Sequence, residues 1–203
     1  MKTIEIAGKG RAATGKKSTQ ELRKENNVPC VIYGGENNIH FSAHKNAFRD
    51  LIYTDEFKKA TITVEGGATV DAIVKDVQFH PVTDSILHID FLQLVPGQKL
   101  KTELPIKLTG SPEGVKAGGT LVQKIRKLKV LTTPESLASA IEVDVSHLAM
   151  GKSIRIRDVK VDENTQVMNS LGIPLASIEI PRAMRSAQSK EEDTAEDGDA
   201  AEA

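Results

Sequence analysis

The stretch V-K-D-V-Q-F-H-P-V-T-D-S-I-L-H-I-D-F, residues 74–91, decides how the first half of this chain is read. It runs into L-H-I-D-F-L, residues 87–92, where apolar and polar residues alternate with the period of a β-strand. Leu87, Ile89 and Phe91 then share one face, and His88 and Asp90 lie side by side on the other. An imidazole and a carboxylate can decorate a solvated strand face without having any function, so the pair alone decides nothing. Upstream, T-I-T-V-E-G-G-A-T-V-D-A-I-V-K-D-V (61–77) reads as a hairpin reversing at Gly66-Gly67. In its second arm Ile73 and Val77 break the alternation set by Val70, Ala72 and Val74. A bulge, or burial on both faces, accounts for the slip.

Two helices are expected among the strands. One spans 18–26, with Ser18 and Glu21 at capping-box spacing and Asn26-Asn27 and Pro29 ending it. The other spans roughly 43–53, with Phe48, Leu51 and Ile52 as its buried stripe. The pattern restarts after V-P-G-Q, residues 95–98. Leu100, Leu104, Ile106 and Leu108 alternate with Lys101, Glu103 and Lys107 in the next strand. S-P-E-G-V-K-A-G-G-T reads as a turn-rich loop, and further strands are expected at about 120–131, 139–145 and 175–180. M-G-K-S-I-R-I-R-D-V fits either a short strand or a helical turn. The fold class is mainly β with minor α, in two domains, 1–93 and 94–182, followed by a tail, 183–203.

Composition narrows the function classes. The 203 residues are 39% hydrophobic but only 3% aromatic, so the core must be aliphatic and few rings remain for stacking. One cysteine, Cys30, excludes an internal disulfide and a cysteine-rich metal site. There is no signal-peptide-like apolar run at the N-terminus and no stretch long enough to span a membrane, so a soluble cytoplasmic protein is expected. The net charge of −1 hides segregation: 12 Lys+Arg against 12 Asp+Glu in 1–93, 13 against 9 in 94–182, and 2 against 7 in 183–203. With almost no bulky hydrophobe, the acidic tail is expected to be disordered.

Catalytic and metal motifs are weak. Gly15-Lys16-Lys17-Ser18 resembles the end of a P-loop, but Lys17 separates the lysine from the hydroxyl that would reach Mg²⁺. His40 and His44 straddle an expected strand-to-helix junction with no cysteine nearby, and no metal or other cofactor is expected. Nothing around Asp84, His88 and Asp90 signals the desolvation that tunes a catalytic carboxylate, so no enzyme is expected. Basicity stands out instead. Lys9, Arg11, Lys16, Lys17, Arg23 and Lys24 lie between residues 9 and 24, opposed only by Glu21 and interspersed with Gly8, Gly10 and Gly15. A flexible cationic loop of this kind can lie against a phosphate backbone, and a helix following it offers its positive end.

Two blocks carry a resemblance: G-K-K-S-T-Q-E-L-R-K-E-N-N-V-P-C-V-I-Y-G-G (15–35) and V-K-D-V-Q-F-H-P-V-T-D-S-I-L-H-I-D-F (74–91). Together they resemble the bacterial large-subunit ribosomal protein L twenty-five family, in its two-domain general stress protein Ctc type. L-P-I-K-L-T-G, the G-V-K-x-G-G loop and P-E-S-L…I-E-V-D-V-S extend the likeness to about residue 182. The resemblance implies an N-terminal closed six-stranded β-barrel with short helices and a second mainly β C-terminal domain. It also implies binding of 5S ribosomal RNA at the distorted loop E, from the minor-groove side, by a monomer in the cytoplasmic ribosome. That suits RNA, whose A-form helix hides its major groove. The C-terminal domain would then rest on neighbouring large-subunit RNA or proteins.

Carried over to this chain, the resemblance implies RNA contacts from Arg11, Lys16, Lys17, Thr19, Arg23, Tyr33, Gly34, Lys75, His88 and Asp90. His88 would donate to a phosphate or 2′-hydroxyl. Asp90, repelled by phosphate, would accept from a base amino group such as guanine N2. Lys75 stands where some relatives have Gln, Cys30 where alanine is usual and Phe79 where some have Arg. Gln20 and Glu21 replace two arginines of many relatives, which should weaken binding and flatten its salt dependence, with Lys17 a partial substitute. The rival expectation is an extraribosomal stress protein acting on other proteins through the C-terminal domain.

Overall fold

The computed structural model describes residues 1–12, 15–35, 37–67, 69–162 and 164–181. The tail expected to be disordered lies outside them. The chain forms two compact units, one of residues 1–105, 129–140 and 162–167, the other of 106–128, 141–161 and the segment from Met168.

The first unit is built around a closed six-stranded barrel. Its strands are β1 (Thr3–Gly10), β2 (Asn27–Tyr33), β3 (Ile39–His44), β4 (Lys59–Val64), β5 (Thr69–Phe79) and β6 (Ile86–Gln93), in the order β1-β3-β2-β6-β5-β4. Closure comes from parallel pairing of β1 with β4, in register from Thr3 opposite Lys59 to Gly8 opposite Val64. A closed wall leaves each strand only an inside and an outside, so its side chains must alternate. Inward go Ile6, Val28, Cys30, Ile32, Phe41, Ala60, Ile62, Ala72, Ile89 and Phe91, all nearly or wholly buried. Phe41 and Phe48 meet the Phe91 ring at centroid distances of 5.8 and 6.2 Å, in tilted contacts. Three of the few aromatic rings are thus spent on this one core. Gly8 passes so close to the Phe41 ring that a side chain there would collide with it. Cys30 is fully buried, and burial pushes its thiol well above its ordinary range.

The hairpin expected at Gly66-Gly67 is β4–β5, with Gly66 at φ +77°. The irregularity expected in its second arm has both causes proposed for it. The β5–β6 register shifts between Val74 and Asp76, making Lys75 the extra residue, and Ile73 is buried although it pairs with Leu92 on the outer side of the wall. Across the hairpin, Asp71 accepts from Lys59 Nζ at 2.6 Å and from Thr61 Oγ1 at 2.7 Å.

Both expected helices change their limits. The first, α1, is Lys16–Lys24 rather than 18–26, and its N-cap is an extended Gly15 with no side-chain cap, so Ser18 and Glu21 form no capping box. Asn26, at φ +61°, turns the chain directly into β2, which absorbs Pro29. The second helix loses Ala43 and His44 to β3, because Ala43 faces the core as a strand residue. His44 then caps a 3-10 turn, Lys45–Phe48, through its ring nitrogen, and α2 is only Arg49–Ile52.

After a turn at Pro96-Gly97, β7 (Leu100–Thr109) shows the expected alternation and pairs in parallel with β10 (Ile141–Asp144). The loop at 111–120 contains a short helix, α3 (Glu113–Lys116), missed because four residues show no period. The strand expected over 120–131 is two, β8 (Thr120–Gln123) and β9 (Lys127–Thr132). Residues 153–158 form a strand and then a 3-10 turn, β11 (Ser153–Arg155) and Ile156–Asp158. β12 (Gln166–Val167) pairs with β9, and β13 (Pro174–Glu179) joins β11 and β8 in a three-stranded sheet. α3 packs closely: a side chain on Gly114 would lie 2.7 Å from the Met150 nitrogen.

Truncating Phe91 to Ala should cost about 3–5 kcal/mol in denaturant unfolding, the usual range for a lost core ring. Asp71, hydrogen-bonded by Lys59 and Thr61, ionises below its ordinary 3.8 in the fold, so its contribution to stability is present above that pH and fades as pH falls through the lower folded value. Asp71→Asn should therefore be less stable than the parent at pH 7, with the difference shrinking as pH falls below the ordinary carboxylate range, read by thermal unfolding across that range.

Candidate nucleic-acid interface

The outer wall of β2, β6 and β5 carries the polar residues that the inner wall excludes. Burial of Ile89 and Phe91 turns His88 and Asp90 outward together, each about three-quarters buried at the side chain. Pairing then fixes their neighbours: Val31 lies beside Asp90, Asp76 faces Asp90, and Gln78 faces His88. His88 Nδ1 donates to Asp90 Oδ1 at 2.8 Å. This leaves Nε2 and the second carboxylate oxygen directed away from the pair as hydrogen-bonding groups for a ligand.

Tyr33 ends β2 beside Leu92 of β6. Its phenol is pushed above 10, chiefly by burial and further by the charges of Asp90 and Asp76, so it stays a neutral donor. Gly34, next in the chain, has φ +98°, and a Cβ there would lie 2.7 Å from Leu92 Cδ1. The glycine is thus required by the wall itself, apart from any room it leaves for a ligand.

α1 packs against β2 and is tied to β6 by one residue. Arg23 donates from Nε and Nη2 to the Leu87 carbonyl, at 3.2 and 3.0 Å, one residue before His88. At the other end of the helix, Arg11 Nη2 donates to Thr19 Oγ1 at 3.4 Å, and that hydroxyl donates to the Gly15 carbonyl at 2.9 Å. The Arg11 backbone N–H donates to His40 O, so the basic segment is laid along the barrel. Lys16 and Lys17 stand exposed in the first helical turn, which has no acidic residue. Cations are unfavourable at a helix N-terminus, so the sequence accepts a local cost there to present positive charge.

The structure therefore brings Arg23 up to the strand that carries His88 and Asp90, and sets Tyr33 within reach of the Asp90 charge, while Arg11 and Thr19 meet at the start of α1. Lys75 is turned differently: as the bulged residue it reaches the Lys101 carbonyl, 2.6 Å from its Nζ. Asp76 and Gln78, missed as site residues, share the wall with the His88–Asp90 pair. Their signal was available, since K-D-V-Q lies in the opening stretch, but the one-residue bulge hides which of its residues point outward. Among the described residues no cluster could hold a metal ion, and no helix is long and apolar enough to cross a membrane.

Comparison with known proteins gives two matches along the chain. Residues 6–91 match the family model described as the Ribosomal L25p family, and residues 99–182 that of Ribosomal protein TL5, C-terminal domain. A large ribosomal subunit protein bL25 of Cytophaga hutchinsonii is 40% identical over 185 residues, covering 91% of this chain and 95% of its own. The protein of that name from Porphyromonas gingivalis is 40% identical over 193 residues, covering 95% of this chain and 100% of its own. That from Parabacteroides distasonis is 40% identical over 195 residues, covering 94% and 100%.

Asp90→Asn should bring the Tyr33 phenol down toward 10. The chain has two tyrosines and no tryptophan, so an ultraviolet absorbance titration in a Tyr53→Phe background reads Tyr33 alone. An unmoved titration would show that Asp90 and Tyr33 do not share the surface described.

Proposed function

We propose that this chain, which belongs to the Ribosomal L25p family, is a large-subunit ribosomal protein that binds 5S ribosomal RNA through the outer wall of its barrel. The chain spans nearly the full length of relatives named large ribosomal subunit protein bL25, and its place is accordingly the ribosome in the bacterial cytoplasm. Its family is one of structural ribosomal components, and the role is one of binding rather than catalysis.

The observation that carries the reading is a carboxylate, Asp90, held between an imidazole and a second carboxylate on a surface bordered by cations. A surface shaped only by attraction to phosphate would exclude two acids. A surface that reads bases needs acceptors, and in an irregular RNA helix the exposed minor-groove amino group of guanine is the donor they fit. The His88 hydrogen bond supports this role by fixing the orientation of the Asp90 carboxylate and using one of its oxygens. Lys16, Lys17 and Arg23 supply phosphate contacts, with Arg11 and Thr19 setting the start of α1 against the wall. Tyr33 offers its hydroxyl to a ribose or phosphate beside Gly34. Lys75, attached to the Lys101 carbonyl, keeps two further ammonium protons for the RNA. We assign loop E as the target on the same ground of irregular geometry.

The segment 94–182 contributes exposed cations at Lys124, Arg126, Lys127, Arg155 and Arg157, which suit neighbouring large-subunit RNA.

In titrations of full-length 5S RNA with the full chain, His88→Ala plus Asp90→Ala should weaken binding about 10- to 100-fold, given roughly 1–3 kcal/mol for a good base contact. Lys16→Gln should instead weaken binding without regard to sequence and flatten the log–log salt dependence by about 0.7–0.9. Parental affinity in the double variant would contradict the site.

A further inference from the structure

A second surface adjoins the first. A groove of about 580 Å³ lies between the C-terminal end of α1, the segment Lys45–Tyr53 and the β5–β6 turn. Three cations line it, Arg23, Lys45 and Arg49, against one acid, Asp84, and the rest of its lining mixes amide, hydroxyl and aliphatic side chains.

The cations keep donors to spare. Arg23 uses Nε and one Nη on the Leu87 carbonyl, leaving its other terminal nitrogen. Lys45 uses one ammonium proton on Asn26 Oδ1, at 2.7 Å, and retains two. Arg49 is exposed and forms no ion pair among the described residues. At the edge of the groove stands Tyr53, 62% exposed, its ring 6.4 Å from that of Phe79, itself 42% exposed. In a chain that is 3% aromatic, two touching rings left in solvent are conspicuous.

Cations beside an exposed aromatic ledge are what an unpaired nucleotide needs: its phosphate is held by charge and its base rests on a ring. A protein partner held by apolar contact would call for an uncharged pocket, whereas this lining carries three cations against one acid. Arg23 both lines this groove and bonds the β6 backbone, so an RNA strand leaving the β6 surface would have a cationic path into the groove. We propose that the groove binds one unpaired nucleotide of the same RNA, just beyond the irregular stretch, with its phosphate between Lys45 and Arg49 and its base on Tyr53. This rests on the 5S RNA reading above.

The test titrates full-length 5S RNA with full-chain variants over a range of salt. Lys45→Gln with Arg49→Gln should weaken binding about tenfold and flatten the log–log slope by about 1.4–1.8, two cations at roughly 0.7–0.9 each. Tyr53→Ala should weaken it about tenfold with the slope unchanged, and Tyr53→Phe should restore it, since stacking needs only the ring. All three positions are exposed, and circular dichroism checks that the fold persists. Groove variants that bind like the parent, while His88→Ala plus Asp90→Ala loses binding, would overturn this proposal and leave the function standing. A parent chain with no salt-sensitive affinity for 5S RNA would overturn both.

Discussion

Closure of the barrel is the constraint on which the rest depends. Once β1 pairs with β4, no strand edge remains in the wall, and every residue of β6 must face either the Phe41–Phe48–Phe91 core or the outside. The free energy that buries Ile89 and Phe91 therefore also orients His88 and Asp90. Slipping β6 by one residue would put a carboxylate into an aliphatic core, a cost of several kcal/mol that fixes the register.

Two devices shape the outer face of this frame. The bulge at Lys75 lets β5 place Asp76 and Gln78 opposite Asp90 and His88 while Val74 and Val77 still pack inward. Arg23 clamps the helix to the strand through a backbone carbonyl, so the cationic helix and the strand carrying His88 and Asp90 share one frame. Backbone anchoring makes that geometry independent of which side chain stands at position 87.

Much of this was legible in the sequence, for physical reasons that also set its limits. Strict alternation in 87–92 and in 100–108 left one reading, and the slip at Ile73 announced the irregularity in β5. Ser18 and Glu21 misled because capping-box spacing is a local pattern, and here Gly15 starts the helix three residues earlier. Ala43 and His44 misled because an apolar stripe beginning at Phe48 says nothing about where the preceding strand ends. Neither the His88–Asp90 hydrogen bond nor the Arg23 clamp follows from spacing, since each depends on a rotamer or on a partner 64 residues away. The barrel's closure itself came from the family likeness, not from periodicity.

The central claim is that the outer wall of β2, β5 and β6, together with α1, is the RNA-binding face. Its most direct test is to map amide chemical-shift changes in the full chain as a loop E hairpin of 5S RNA is added. The account predicts the largest changes at residues 16–24, 31–34, 76–78 and 87–90. Changes confined to residues 100–181, with that wall unaffected, would contradict it.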